Sequence, residues 1–208
     1  MSVQKQHIIF GILIGIIIVS TWWYFHQGYN YIDKPRGGEN IIAFGDSLTE
    51  GTGASAGNDY VSVLARRIGQ PIINAGVAGD TTELALARLQ TDVLDRHPRI
   101  VILELGGNDG LQKRPIDGVF NRLALMIQKI HSTGSAVLLI GIEPEFFVQE
   151  YNSRFQKLAE KEKASFVSNI LKGLVGHGEL MSDSIHPNDK GNAIMADRIE
   201  PVLRKMLQ

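Results

Sequence analysis

The chain has 208 residues, 44% of them apolar, and a formal charge of −1 at neutral pH. That is enough apolar material for one sizeable core, it excludes global disorder, and the near-neutral balance gives no reason to expect a nucleic-acid partner. Cysteine is absent, which excludes disulfides, thiolate metal sites, a cysteine nucleophile and a lipid-modified cysteine.

The first predicted element is apolar throughout. HIIFGILIGIIIVSTWWYF, residues 7–25, holds no acid, lysine or arginine. A helix of about 20 such residues spans a bilayer, and the aromatics of WWY suit its interface. A cleaved export signal would place small residues just after the apolar run, where this chain has bulky aromatics. A helix of the globular domain would show a polar face, and none is present. Residues 1–26 are therefore read as a retained transmembrane signal anchor. Lys5 and the free amine favour a cytoplasmic N-terminus, set against Lys34 and Arg36 on the far side. Residues 27–38, QGYNYIDKPRGG, read as a linker rich in glycine and scattered charge. Fully stretched, it reaches roughly 40 Å.

From residue 39 to 208 the pattern alternates. NIIAF is a strand. DYVSVLARRIG, 59–69, spaces Val61, Leu64, Ala65 and Ile68 as a helix that Gly69 closes. PIINAG is a short strand. Residues 80–97 form a helix, opened by Asp80 and Glu83 as a capping box. RIVILELGG, 99–107, is the most strand-like piece of the chain. Residues 115–132 form a helix led by Pro115, and SAVLLIGI is a strand. Residues 144–163 form a charged amphipathic helix, SFVSNI a final short strand, and 188–206 the last helix. Strands apolar on both faces, alternating with helices, predict a parallel sheet covered by helices on each side.

In such a sheet ligands bind beyond the carboxyl ends of the strands. GDSLTEG follows the first strand, NAGVAGD the second and GGNDG the third, and DSIHPND precedes the last helix. Singly, each has a plain structural use. Ser47 and Asp80 suit helix caps, Asn108 a left-handed turn, Asp183 a turn cap, and His186 an exposed loop. Together they place a hydroxyl, an amide and glycine-rich turns at one sheet edge, with Asp-x-x-His within reach.

These blocks resemble the SGNH (GDSL) hydrolases. GDSL at the domain start, AGD after strand two, GGND after strand three and DSIHP near the end match the family's four blocks in order. The resemblance covers the chain from about residue 40 on. It is nearest to the bacterial thioesterase I, lysophospholipase and arylesterase branch. It implies a flavodoxin-like, three-layer α/β/α sandwich with a five-stranded parallel sheet. It implies Ser47 as nucleophile, Gly79 and Asn108 as oxyanion-hole residues beside the Ser47 N–H, and Asp183 with His186 as the acid–base pair. With the anchor, it implies a domain outside a bacterial inner membrane, in the periplasm or beyond the cell. The retained apolar segment departs from branch members that carry a cleavable signal.

The chemistry fits those residue types. Hydrolysis of an ester or thioester needs a nucleophile, a base and donors for the developing oxyanion. Gly45 leaves room for a sharp turn that exposes Ser47. Asp183, three residues before His186, can fix its tautomer; Asp189, beyond Pro187, is the rival acid. His177 has Leu174 where an acid should stand. GTGASAG is not a dinucleotide fingerprint, no P-loop or zinc-site spacing is present, and the G-x-S-x-G elbow is missing. No cofactor and no metal are expected. The expected partners are a small acyl-ester or lipid substrate and the membrane holding the anchor. A carbohydrate or peptidoglycan O-acetylesterase, or a binding module without turnover, are the alternatives. Leu111, Phe146 and Phe147, in the loops 111–117 and 143–151, are candidates for the substrate pocket.

Overall fold

A computed structural model of the protein describes residues 29–143 and 150–208. The expected membrane span, and Phe146 and Phe147, lie outside the described residues. The chain divides into two units, Met1–Asn30 and Tyr31–Gln208; the second carries every element below. Among the described residues, no helix is long and apolar enough to cross a membrane.

Among the described residues, five strands form one sheet: β1 Asn40–Gly45, β2 Ile72–Gly76, β3 Pro98–Glu104, β4 Ala136–Ile140 and β5 Ser165–Val167. All pairings are parallel and the order is β2-β1-β3-β4-β5. The central strands are buried along nearly their whole length, as expected where helices cover both faces. Ile41, Ala43, Ile100, Ile102, Leu138 and Ile140 face one side. There they pack with α2 (Tyr60–Ile68) and α7 (Asp189–Leu207) through Tyr60, Leu64, Met195, Ile199 and Leu203. The alternate residues Ile42, Phe44, Val101, Leu103, Val137 and Leu139 are fully buried too, because successive strand side chains point to opposite faces. α3 (Thr82–Asp92), α5 (Ile116–Ser132) and α6 (Glu150–Glu162) pack on one another as the second helical layer. Short α-helices also follow two strands, α1 (Ser47–Glu50) after β1 and α4 (Gly107–Leu111) after β3.

From β1 the chain steps outward to β2, then crosses back to β3 on the other side of β1. The crevice of a doubly wound sheet opens where the winding reverses in this way. Here that is between the carboxyl ends of β1 and β3, where α1 and α4 begin.

The helix at 80–97 starts later than its expected capping box. Thr81 is the N-cap, its hydroxyl accepting from Leu84 N–H at 3.4 Å. Asp80 instead takes Arg88 Nε at 2.6 Å, and Glu83 pairs with Arg114. The guanidinium of Arg88 outcompetes backbone N–H groups for Asp80 because a charged donor makes the stronger bond.

The segment before β1 is docked from Ile32 on, within the stretch expected as a linker. Asp33 is buried. Its Oδ2 accepts from Val137 N–H at 2.7 Å and meets His131 Nε2 at 2.8 Å, and its own N–H donates to Ser165 Oγ at 2.8 Å. Arg36 N–H donates to the Gly134 carbonyl, and the Lys34 ammonium to that of Lys205. These partners stand at the amino ends of β4 and β5, the edge opposite Ser47. Asp33→Ala is expected to leave the buried Val137 N–H without an acceptor and to lower stability by about 1–3 kcal/mol, read from urea unfolding of the domain.

Candidate active site

The first strand ends in a turn that tolerates no side chain at Gly45. A Cβ there would lie 2.1 Å from Thr49 Oγ1 and 2.6 Å from the Glu104 carbonyl. Asp46 then caps α1, its Oδ1 accepting from Leu48 N–H at 3.0 Å. Ser47 is thus the first residue of a helix, at the mouth of the crevice. Across from it, residues 182–187 form a closed loop. Ser182 N–H donates to the His186 carbonyl at 2.8 Å, and Met181 bridges Pro187. Asp183 Oδ1 accepts from the N–H groups of Ile185 and His186, both at 2.8 Å.

That loop brings three of the expected residues together. Asp183 Oδ2 lies 2.7 Å from His186 Nδ1, and His186 Nε2 lies 3.0 Å from Ser47 Oγ. With Nδ1–H donating to the carboxylate, Nε2 is left to accept the serine hydroxyl proton. The His186 hydrogen bond and the two loop N–H groups hold the Asp183 carboxyl down at about 2. A carboxyl held below its ordinary value adds stability above that ordinary value, near 4, and loses it as pH falls through the folded one. Asp183 is half-exposed, so solvent screening keeps the contribution small.

Asp189, the rival acid, faces elsewhere. It accepts from Ser55 N–H at 2.7 Å, Ser55 Oγ at 2.6 Å and Asn58 Nδ2 at 3.1 Å. It pins the loop between α1 and α2, while Asn188 caps α7.

Asn108 stands in the first turn of α4. Its Nδ2 donates to the Asp80 carbonyl at 2.9 Å and to Asp46 Oδ2 at 3.2 Å, which ties the turns after β1, β2 and β3 together. Gly79 occupies the turn after β2 with φ +82°, and among the described residues no atom lies within 4 Å of the position a Cβ would take. That backbone conformation suits glycine at little cost. The crevice is walled by Ser47, Asn108 and His186 and by the apolar Leu48, Leu111, Ile142, Leu171 and Ile185. Of the three expected pocket residues, Leu111 is on this wall.

Three neighbours of the site carried no functional expectation. Glu104, at the end of β3, is fully buried and accepts Thr49 Oγ1 at 2.8 Å. Asp46 is buried beside it, and that burial pushes its carboxyl up to about 6. Arg88 bonds Asp80, Asp92 and the carbonyls of Gly45 and Ala75, and lies 4.3 Å from the Phe44 ring centroid. An acid inside the apolar run RIVILEL was the readable signal for Glu104. Arg88 offered none, because a basic residue on a surface helix is ordinary.

Comparison with known proteins bears on this arrangement. Residues 43–194 match the GDSL-like lipase/acylhydrolase family. The chain is 32% identical to an arylesterase of Vibrio mimicus over 81% of its own length and 90% of the relative's. It is 28% identical to thioesterase 1/protease 1/lysophospholipase L1 of Escherichia coli, over 81% and 85% of the two chains. The crystal structure of TesA superimposes with a TM-score of 0.75 at 30% identity, covering 81% of this chain and 99% of that one.

Proposed function

The chain belongs to the GDSL-like lipase/acylhydrolase family and is a serine hydrolase of ester bonds, and on that premise we propose that Ser47, His186 and Asp183 carry the reaction through an acyl-enzyme. The observation that carries the assignment is the connected run of Ser47 Oγ, His186 and Asp183, at 3.0 and 2.7 Å.

Ser47 Oγ attacks the carbonyl carbon while His186 Nε2 takes its proton. The carbonyl oxygen becomes an oxyanion among the N–H groups of Ser47 and Gly79 and the Asn108 amide. Collapse of the tetrahedral species breaks the bond to the alcohol or thiol, which leaves with the proton from His186. Water then repeats the sequence on the acyl-serine, with His186 again as base. Asp183 holds the imidazole in the tautomer that both halves need. No step calls for a metal or cofactor. Asn108→Ala is expected to lower kcat about 10²-fold with KM little changed, the usual result of removing one oxyanion donor; steady-state rates on a p-nitrophenyl ester check it.

The substrate class proposed is an acyl ester or thioester, with lysophospholipid among the candidates. Leu48, Leu111, Ile142, Leu171 and Ile185 on the crevice wall support an apolar acyl chain. Each methylene buried there contributes about 0.8 kcal/mol, or roughly fourfold in kcat/KM. A series of p-nitrophenyl esters tests this: kcat/KM rises from acetate through butyrate. A maximum at acetate favours an O-acetylesterase instead.

The protein is further proposed to be held in a bacterial membrane by residues 7–25, with its catalytic domain on the outer side. The support is the uncharged apolar run itself. With no cysteine in the chain, a lipidated thiol does not offer another anchor. The docked segment from Ile32 enters the domain at the edge opposite Ser47.

A further inference from the structure

Two buried carboxyls beneath the Ser47 turn take no part in the proton transfers described above. Glu104 is fully buried and Asp46 nearly so. A carboxylate is expensive to bury unless donors surround it. Glu104 is poorly supplied. Its Oε2 accepts the Thr49 hydroxyl at 2.8 Å, and that hydroxyl is shared with Tyr60 Oη, also at 2.8 Å. Among the described residues, no N–H or hydroxyl donor reaches its buried Oε1. An ionised carboxylate has about four acceptor sites and is not kept buried on the Thr49 hydroxyl and the Asp46 N–H alone, so the geometry describes a neutral acid. The carboxyl lies against the N–H and the side chain of Asp46. Asp46 is the better supplied of the two, with Leu48 N–H on Oδ1 and the Asn108 amide on Oδ2. A proton carried by Glu104 and directed at Asp46 satisfies both groups.

The consequence reaches Asn108. Both hydrogens of its amide are committed, to the Asp80 carbonyl at 2.9 Å and to Asp46 Oδ2 at 3.2 Å. To meet an oxyanion, one hydrogen must turn away from an acceptor, and the longer bond is the one to Asp46. How tightly Asp46 holds it depends on the charge Asp46 keeps. We propose that Glu104 and Asp46 share one proton, and that this shared proton positions the Asn108 amide for the oxyanion and thereby sets kcat. Glu104 is a positioning residue on this account, since it acts through Asp46 and touches no substrate. The inference rests on the reading of Asn108 as an oxyanion donor.

Burial holds Glu104 well above the ordinary carboxyl range, with the neighbouring Asp46 charge adding to it. With Asp46 at about 6, one proton resides on the pair around neutrality. The titratable and charged groups facing the pair are Tyr60 on α2, His186 on the loop before α7, and Asp80 after β2 with Arg88 bonded to it. As pH rises through the raised Glu104 titration, Asp46 keeps its full charge, Asn108 is held back and kcat falls.

The test uses Glu104→Gln and Glu104→Leu in the full protein and in the Asn108→Ala background. Glutamine offers a carbonyl to Thr49 and an N–H to Asp46, and it does not ionise. At pH 7 the Gln variant keeps kcat within about threefold, and its fall in kcat with rising pH disappears. The Leu variant lowers kcat roughly tenfold with KM changed less than about twofold, and that loss vanishes once Asn108 is alanine, as for two residues acting through one contact. A Gln variant with the wild-type fall in kcat as pH rises overturns the proposal. So does a folded Leu variant with unchanged kcat, or a Leu loss that adds in full to Asn108→Ala. If the Leu variant does not fold, the Gln pH profile decides alone. An Asn108→Ala enzyme with wild-type kcat removes the oxyanion reading itself. A large Asn108→Ala loss beside an inert Glu104→Leu removes only the proton-sharing pair.

Discussion

Ser47→Ala is expected to lower kcat for ester hydrolysis by on the order of 10⁴–10⁶ and to leave the fold intact. The size follows from how the groups act. The serine and the histidine form one unit, and in the subtilisin example loss of either costs about as much as loss of the whole set. His186→Ala is therefore expected to match Ser47→Ala, and the double variant to be no worse than either. The fold survives because Ser47 is not what starts α1. Asp46 is the cap, through Leu48 N–H, and the turn is fixed by the closeness of Gly45 to Thr49. The hydroxyl itself gives up one hydrogen bond, to His186 at 3.0 Å, a loss of about 1 kcal/mol. Steady-state rates with circular dichroism and a melting curve check both halves. A folded, pure Ser47→Ala enzyme near full activity removes Ser47 from the mechanism.

Asp183→Asn is expected to lower kcat by on the order of 10³, while Asp189→Asn stays within about threefold of wild type. In the serine protease example the same change at the third member costs about 10⁴, and Asp183 is more open to water than a buried triad acid. Asparagine retains an oxygen for Ile185 and His186 N–H but presents an N–H₂ to His186 Nδ1. That favours the tautomer with hydrogen on Nε2, which cannot accept from Ser47. Because the Asp183 carboxyl is held at about 2, it is ionised at any working pH and contributes no limb to the pH–rate profile. Asp189 serves Ser55 and Asn58 on an exposed loop, where lost surface contacts change little. Parallel kcat measurements decide, and equal rates or the reverse order exclude Asp183 as the orienting acid.

The strand–helix alternation and the five-stranded sheet were legible in the sequence because the signals are local. Apolar runs such as VILEL and the 3.6-residue spacing of 59–69 need no partner to be recognised. The meeting of the turns after these strands at one sheet edge was legible for a related reason. In a parallel sheet the turns after successive strands meet at one edge, so GDSL, AGD and GGND had to converge once the strands were placed. What stayed hidden depends on distant residues. The helix after β2 is capped by Thr81 and starts at Thr82 because Arg88 claims Asp80, a choice between two acceptors that look alike in the chain. QGYNYIDKPRGG has the composition of a linker, yet Asp33 is fixed by Val137, His131 and Ser165, about a hundred residues away or more. Asp189 sits as close to His186 in sequence as Asp183 does, and its bonds to Ser55 and Asn58 were not readable from that spacing.

The central claim, that Ser47 is the nucleophile, is tested most directly by covalent capture. The protein is incubated with an active-site-directed alkyl phosphonate, its intact mass is measured, and the adduct is mapped by peptide mass spectrometry as activity is lost. The account predicts one phosphonyl group per chain, on Ser47, with activity falling in step with labelling, and no adduct in the His186→Ala variant on the same timescale. An adduct on another serine that tracks the loss of activity, or full ester hydrolysis by a protein phosphonylated at Ser47, contradicts it.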